Sequence, residues 1–109
     1  MGEYGIVMTT FENKEQAIPV IDKVLQRQLA ACVQTTNIES HYTWKNEVCH
    51  SDEVLVLFKT RQDLYEELKS QIEELHPYET AEILYIDIDK GAQDYLNWID
   101  LVTKKRGER

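Results

Sequence analysis

Two β-rich runs, residues 29–44 and 47–60, are separated by only Lys45-Asn46, and a two-residue break between strands is the spacing of a tight hairpin. Asn tolerates the positive φ that such a turn needs, although a Gly there would be the stronger signal. Each arm holds thirteen or more residues, which at about 3.3 Å per residue is far longer than the usual strand of about 5 to 6. Arms of that length carry Tyr42, Trp44 and Val48 along open edges, a liability in a lone subunit. Another copy of the chain covering the arms is the expectation; the alternative is a bulge or bend that folds each arm over its own core.

The flanking segments set the fold class. Residues 4–10, with Ile6, Val7 and Met8, read as a strand buried on both faces. Asn13 followed by Gln16 is a capping-box pattern ahead of Ala17, Ile18, Ile21, Val24 and Leu25, which predicts a helix over residues 14–28. Pro19 lies inside it and predicts a kink or a late start. Thr60 and Asp63 open a second helix in which Leu64, Leu68, Ile72 and Leu75 recur, and Pro77 stops it at His76, because the residue before a proline is driven out of helical conformation. Residues 81–88 form a fourth strand, and Gly91 opens a last helix carrying Tyr95, Leu96, Trp98, Ile99 and Val102. The order βαββαβ plus a C-terminal helix, with helices on one face of an antiparallel sheet, is an α+β ferredoxin-like sandwich.

Size and charge narrow the function classes. The chain's 109 residues, 42% hydrophobic and 29% charged, describe one domain over residues 1–109. The longest apolar runs, 29–33 and 54–58, are five residues each, against roughly 20 needed to cross a bilayer. Twenty acidic against twelve basic side chains give a net charge of -8, which repels phosphate backbones and anionic lipid. Nucleic acid and membrane partners are not expected; cations or small molecules are compatible, and solubility alone also accounts for the charge. Met1-Gly2-Glu3 offers no basic leader, Ile6 stands where a myristoylation motif needs Ser or Thr, and Cys32 and Cys49 form no Cys-x-x-Cys pair. A reducing, cytoplasmic setting follows as an expectation. The single charge cluster is Lys104-Lys105-Arg106. No Gly-rich phosphate loop, G-x-S-x-G or H-E-x-x-H appears, so no enzyme is expected.

Candidate chemistry lies in two places. A turn on Lys45-Asn46 pairs Trp44 with Glu47, Tyr42 with Cys49 and His41 with His50, and opposed residues share a face. Two imidazoles so placed suit Cu or Zn, or are simply two solvated surface groups. The segment 75–82 gathers His76, Tyr78, Glu79 and Glu82 where a helix hands over to a strand; there His76 either ligates or caps helix carbonyls. Lys59 ends an apolar strand and reaches a cleft carboxylate or extends to solvent. Cys32, within L-A-A-C-V, reads first as a small core residue, and Tyr95 and Trp98 as packing.

L-A-A-C-V-Q at 29–34, S-x-Y-x-W at 40–44, F-K-T at 58–60, H-P-Y-E-x-x-E-I at 76–83 and Y-L-x-W-I at 95–99 together resemble the CutA family of divalent-cation tolerance proteins over almost the whole chain. The resemblance implies a ferredoxin-like subunit in a tight homotrimer and a role in tolerance to divalent metals, copper especially. By motif match it points to His76, Glu79, Glu82 and Cys32 as metal ligands and to Lys59 and Tyr78 as ligand-binding groups. Trp44 and Trp98 are structural on this reading. The trimer it implies is also similar to that of PII-type signalling proteins, which makes small-molecule sensing at intersubunit clefts the alternative; a scaffold or anchor for other proteins is the third reading. Thr9 stands where copper-binding members can carry a cysteine, and Leu75 replaces a second histidine beside His76, which lowers the expected copper affinity. Ala81 stands for the usual proline before E-I, and Lys45-Asn46 for a Gly-containing turn.

Overall fold

Side chains alternate across a strand, and that alternation sorts this molecule into two faces. The computed structural model describes residues 2–105; Met1 and residues 106–109, with the last member of the basic cluster, lie outside the described residues. The elements are β1 (Tyr4–Phe11), α1 (Lys14–Gln26), β2 (Cys32–Trp44), β3 (Glu47–Arg61), a short 3₁₀ turn (Gln62–Leu64) running into α2 (Tyr65–Leu75), β4 (Leu84–Asp87) and α3 (Gln93–Val102). The strands form one sheet in the order β2-β3-β1-β4, antiparallel at every junction. The fold is α+β, and this strand order is that of the ferredoxin-like sandwich. No helix among the described residues is long and apolar enough to cross a membrane.

On one face Val7 and Phe11 of β1 and Val54, Val56 and Phe58 of β3 meet Ala17, Val20 and Val24 of α1 and Leu68 and Ile72 of α2. Asn13 caps α1 by accepting from the Gln16 backbone N–H at 3.0 Å. The Gln16 side chain returns to the Glu12 backbone N–H at 3.1 Å, one residue before the cap. The helix begins at Lys14 and runs past Pro19, so the late start does not occur; it ends at Gln26, and Gln28 turns at φ 58 to redirect the chain into β2.

Three expectations are corrected. β1 is buried on one face only: Ile6 and Met8 are half-exposed, together with Leu55 and Leu57 opposite Thr10 and Met8. The helices do not share one face. Tyr4 and Lys59 alternate with the core residues, and Tyr4 donates to the Asp100 carboxylate at 2.6 Å while the Lys59 ammonium lies over the Tyr95 ring, so α3 meets the sheet from the side away from α1 and α2. The fourth strand is only Leu84–Asp87, because pairing with β1 stops at Met8.

The hairpin register is the expected one, with Trp44 opposite Glu47, Tyr42 opposite Cys49 and His41 opposite His50. Its arms of 13 and 15 residues carry no folded-back bend: β2 pairs with β3 without interruption from Cys32–Lys59 to the turn. At the other end of β3 the buried Arg61 guanidinium donates to Asp63 at 2.8 Å, to Thr103 at 2.7 Å and to the Lys104 carbonyl at 2.6 Å, which ties the C-terminal segment to the sheet.

Gly5 lets the Tyr85 ring cross β1 and meet Tyr65 edge-on, and a methyl group added there would collide with that ring. Gly5→Ala is expected to cost about 1 to 3 kcal/mol through this overpacking, read as a lower urea midpoint with an unchanged m-value.

Candidate functional site

The site begins with the proline that ends α2. Pro77 holds His76 in extended conformation, φ -76 and ψ 131, and this swings the imidazole back over the end of β1. There it stacks on Phe11, ring centroids 4.2 Å apart and planes 12° from parallel. Nδ1 accepts the Tyr78 backbone N–H at 3.2 Å, so it carries no proton. The proton of the neutral ring therefore sits on Nε2, 2.8 Å from the Thr10 carbonyl that accepts it and 3.2 Å from the Thr9 hydroxyl. Burial pushes His76 below its ordinary pKa, against the opposing pull of the Thr10 carbonyl and the Glu53 carboxylate.

Tyr78 tilts against the imidazole at 4.8 Å and donates its hydroxyl to the Glu53 carboxylate at 2.6 Å. Loss of solvent, then the Glu53 hydrogen bond and charge, push the phenol far upward, so Tyr78 remains a donor. The contact joins the α2–β4 connection to the hairpin and closes one side of a cleft of about 630 Å³, whose lining includes Glu12, Ser51, Glu53, Tyr78, Glu79 and Glu82. Tyr42 and Trp44 form part of the same wall. A second cleft, of about 610 Å³, lies between the start of α1 and the hairpin rung Glu39–Asp52.

The structure brings His76, Tyr78, Glu79 and Glu82 to one region, with Glu79 and Glu82 exposed. It does not bring Cys32 or Lys59 there. Cys32 pairs with Lys59, which pairs with Ile6; that rung lies three residues from Thr9, two strands across, and on the opposite face, so by strand spacing and rise Cys32 is roughly 14 Å from the His76 region. The Lys59 ammonium sits 5.6 Å from the Tyr95 ring centroid, a cation–π contact. Among the described residues no three His, Cys, Asp or Glu side chains converge as a metal site, and both His76 nitrogens are engaged. Among the described residues the chain presents no closed coordination shell for a divalent cation. Sequence reasoning missed Glu53, Thr10 and Phe11 as the partners that place Tyr78 and His76; they lie 25, 66 and 65 residues away along the chain, and no local pattern marks them.

The geometry can be set beside known proteins. A family model for the CutA1 divalent ion tolerance protein matches residues 5–101. The divalent-cation tolerance protein CutA of Pyrococcus horikoshii is 42% identical over 92% of this chain and 98% of its own, and that of Thermotoga maritima is 35% identical over 86% and 93%. Among solved structures, CutA1 from Pyrococcus horikoshii superposes with a TM-score of 0.88 at 40% identity, covering 93% of this chain and 99% of that one. The periplasmic divalent cation tolerance protein CutA from Archaeoglobus fulgidus gives 0.90 at 28% identity, with 93% and 99% covered. This chain belongs to the CutA1 family of divalent ion tolerance proteins.

Proposed function

We propose that the chain serves divalent-cation tolerance by binding divalent cations, copper foremost, as a non-enzymatic homotrimer whose cation-binding clefts lie where copies meet. The observation that carries this reading is the composition of the cleft wall. Glu12, Glu53, Glu79 and Glu82 share an opening with Tyr42 and Trp44, so the carboxylates that would attract a cation sit beside exposed aromatic rings. A neighbouring copy seated on those rings supplies the groups that one protomer lacks. The part of the sheet face that α3 leaves open supports the same assembly: Ile6, Met8, Leu57, Leu84 and Ile86 share the face, with Leu84 53% and Ile86 47% exposed. An apolar face of that extent belongs to an interface.

Glu79 and Glu82 are the exposed ligands of the cleft. His76 joins them only by giving up its hydrogen bond to the Tyr78 N–H or to Thr10, and Thr9 beside it offers a hydroxyl, a weak partner for copper. Cys32 would have to ligate separately, on the sheet face that the copies cover. Cytoplasmic residence, as part of this reading, is supported by the free thiols of Cys32 and Cys49. The PII-like alternative draws no support from the relatives, and Lys59, which would hold its ligand, already lies over the Tyr95 ring.

Sedimentation is expected to give three times the 12.8 kDa chain mass, with Leu84→Lys/Ile86→Lys shifting it to monomer; a stable wild-type monomer would refute the assembly. Titration calorimetry with Cu(II) and Zn(II) is expected to show binding at or below about 100 μM, weakened at least about tenfold in Glu79→Gln/Glu82→Gln; no heat from wild type, or no change in the double variant, would count against the cleft.

The lowered pKa of His76 sets a pH dependence. The folded state resists protonation while the unfolded chain accepts a proton near the ordinary 6.5, so this contribution to stability is complete above that value and is lost as pH falls toward the lower folded pKa. Wild type is expected to lose melting temperature between pH 7.5 and 5 more steeply than His76→Gln; parallel curves would contradict it.

A further inference from the structure

The hairpin carries a second set of ligating groups on the face away from the Glu53 cleft. Lys45 at φ 52 and Asn46 at φ 68 make the turn type I′, which closes on Trp44 and Glu47 as a hydrogen-bonded pair. From that rung outward, bonded and non-bonded pairs alternate. Thr43–Val48 is non-bonded, Tyr42–Cys49 bonded and His41–His50 non-bonded. Non-bonded pairs bring Cα atoms to about 4.5 Å, the closest approach that a ladder offers to two side chains. His41 and His50 accordingly lie face to face, ring centroids 5.6 Å apart and planes 24° from parallel.

Two residues further along each arm, and therefore on the same face, Glu39 stands opposite Asp52. A Glu39 carboxylate oxygen is already 3.7 Å from His41 Nε2. Two imidazoles and two carboxylates thus occupy adjoining rungs of one face. Tyr42, Cys49, Ser51 and Glu53 occupy the other. His41 touches the rim of the cleft, but its ring turns to His50.

We propose that His41 and His50, with Glu39 as the nearest carboxylate, form a binding site for a borderline divalent cation, Cu(II) before Zn(II), separate from the cleft and independent of it. Imidazole nitrogens favour Cu, Zn and Ni over Mg and Ca, and Cu(II) stands highest in the divalent series. Metal–nitrogen bonds near 2.0 to 2.1 Å require the two ligating nitrogens to lie roughly 3 to 4 Å apart. Rings stacked across one rung reach that by side-chain rotation alone, with the ribbon left in register. Among the described residues no three ligating groups already converge, so the preformed part is the ring pair, and a carboxylate or water completes the shell. Both rings are exposed in the chain.

The chain has only three histidines, which makes the test direct on the full-length protein. Cu(II) is added in substoichiometric amounts while the imidazole C2–H signals are followed by NMR, assigned through His41→Gln, His50→Gln and His76→Gln. The signals of His41 and His50 are expected to broaden together while His76 stays sharp. Removing either hairpin histidine is expected to raise the copper needed to broaden the other at least about tenfold, the loss of a chelating partner. Glu79→Gln/Glu82→Gln should leave this response unchanged, so a failed cleft and a failed hairpin site are told apart. Prior broadening of His76, independent broadening of His41 and His50, or loss of the hairpin response in the Glu79/Glu82 variant would each overturn the proposal.

Discussion

β3 is the strand on which the rest of the molecule depends. It is hydrogen-bonded to β1 over Val54 to Arg61 and to β2 over Glu47 to Lys59, so its period-two alternation is imposed on both neighbours. Phe58, Val56 and Val54 point to the helices and form the core, and the same parity continues outward to Asp52 and His50. Lys59, Leu57, Leu55 and Glu53 take the other side. A one-residue slip would send every one of these to the wrong face. The core holds the register at one end and the type I′ turn fixes it at the other, and groups between them that contribute nothing to folding inherit their positions from both.

Much of this was legible because it is local. Two residues between long β-rich runs determined the hairpin and the His41–His50 rung before any coordinate, Asn13 and Gln16 marked the start of α1, and Pro77 marked the end of α2. What failed was partner identity. Ile6, Val7 and Met8 read as buried on both faces because apolar character reports that a side chain avoids water and does not report what covers it. Val7 faces α1 and α2; Ile6 and Met8 lie on the other face, shared with Leu84 and Ile86, and stay half-exposed. The side of the sheet taken by α3 was illegible for a related reason: the helix has apolar Ile99 inward, yet the contacts that choose its face come from Tyr4 and Lys59, far away in sequence.

The same distinction runs through the candidate site. H-P-Y-E identified a place where an imidazole, a phenol and carboxylates come together, but their roles follow from groups remote in the chain. His76 is held by Thr10, Thr9 and Phe11, all at the end of β1, and Tyr78 by Glu53 on β3. An imidazole with both nitrogens hydrogen-bonded and one face stacked is an anchor first. It anchors the α2–β4 connection, with Glu79 and Glu82 exposed beside the Tyr78–Glu53 hydrogen bond. Thr9 in contact with Nε2 matters here, because a hydroxyl at that point holds the ring without offering copper the soft sulfur that would compete for it.

Charge placement then separates what is held from what is offered. Arg61 carries its charge in the interior, matched by Asp63, with Asp100 4.0 Å from the guanidinium; Lys104 is matched by Glu67. These pairs spend basic groups on joining elements together. The carboxylates of the cleft and of the Glu39–Asp52 rung meet no Lys or Arg within ion-pair distance among the described residues, and they account for part of the net -8. A field of that sign raises the local concentration of cations at those surfaces.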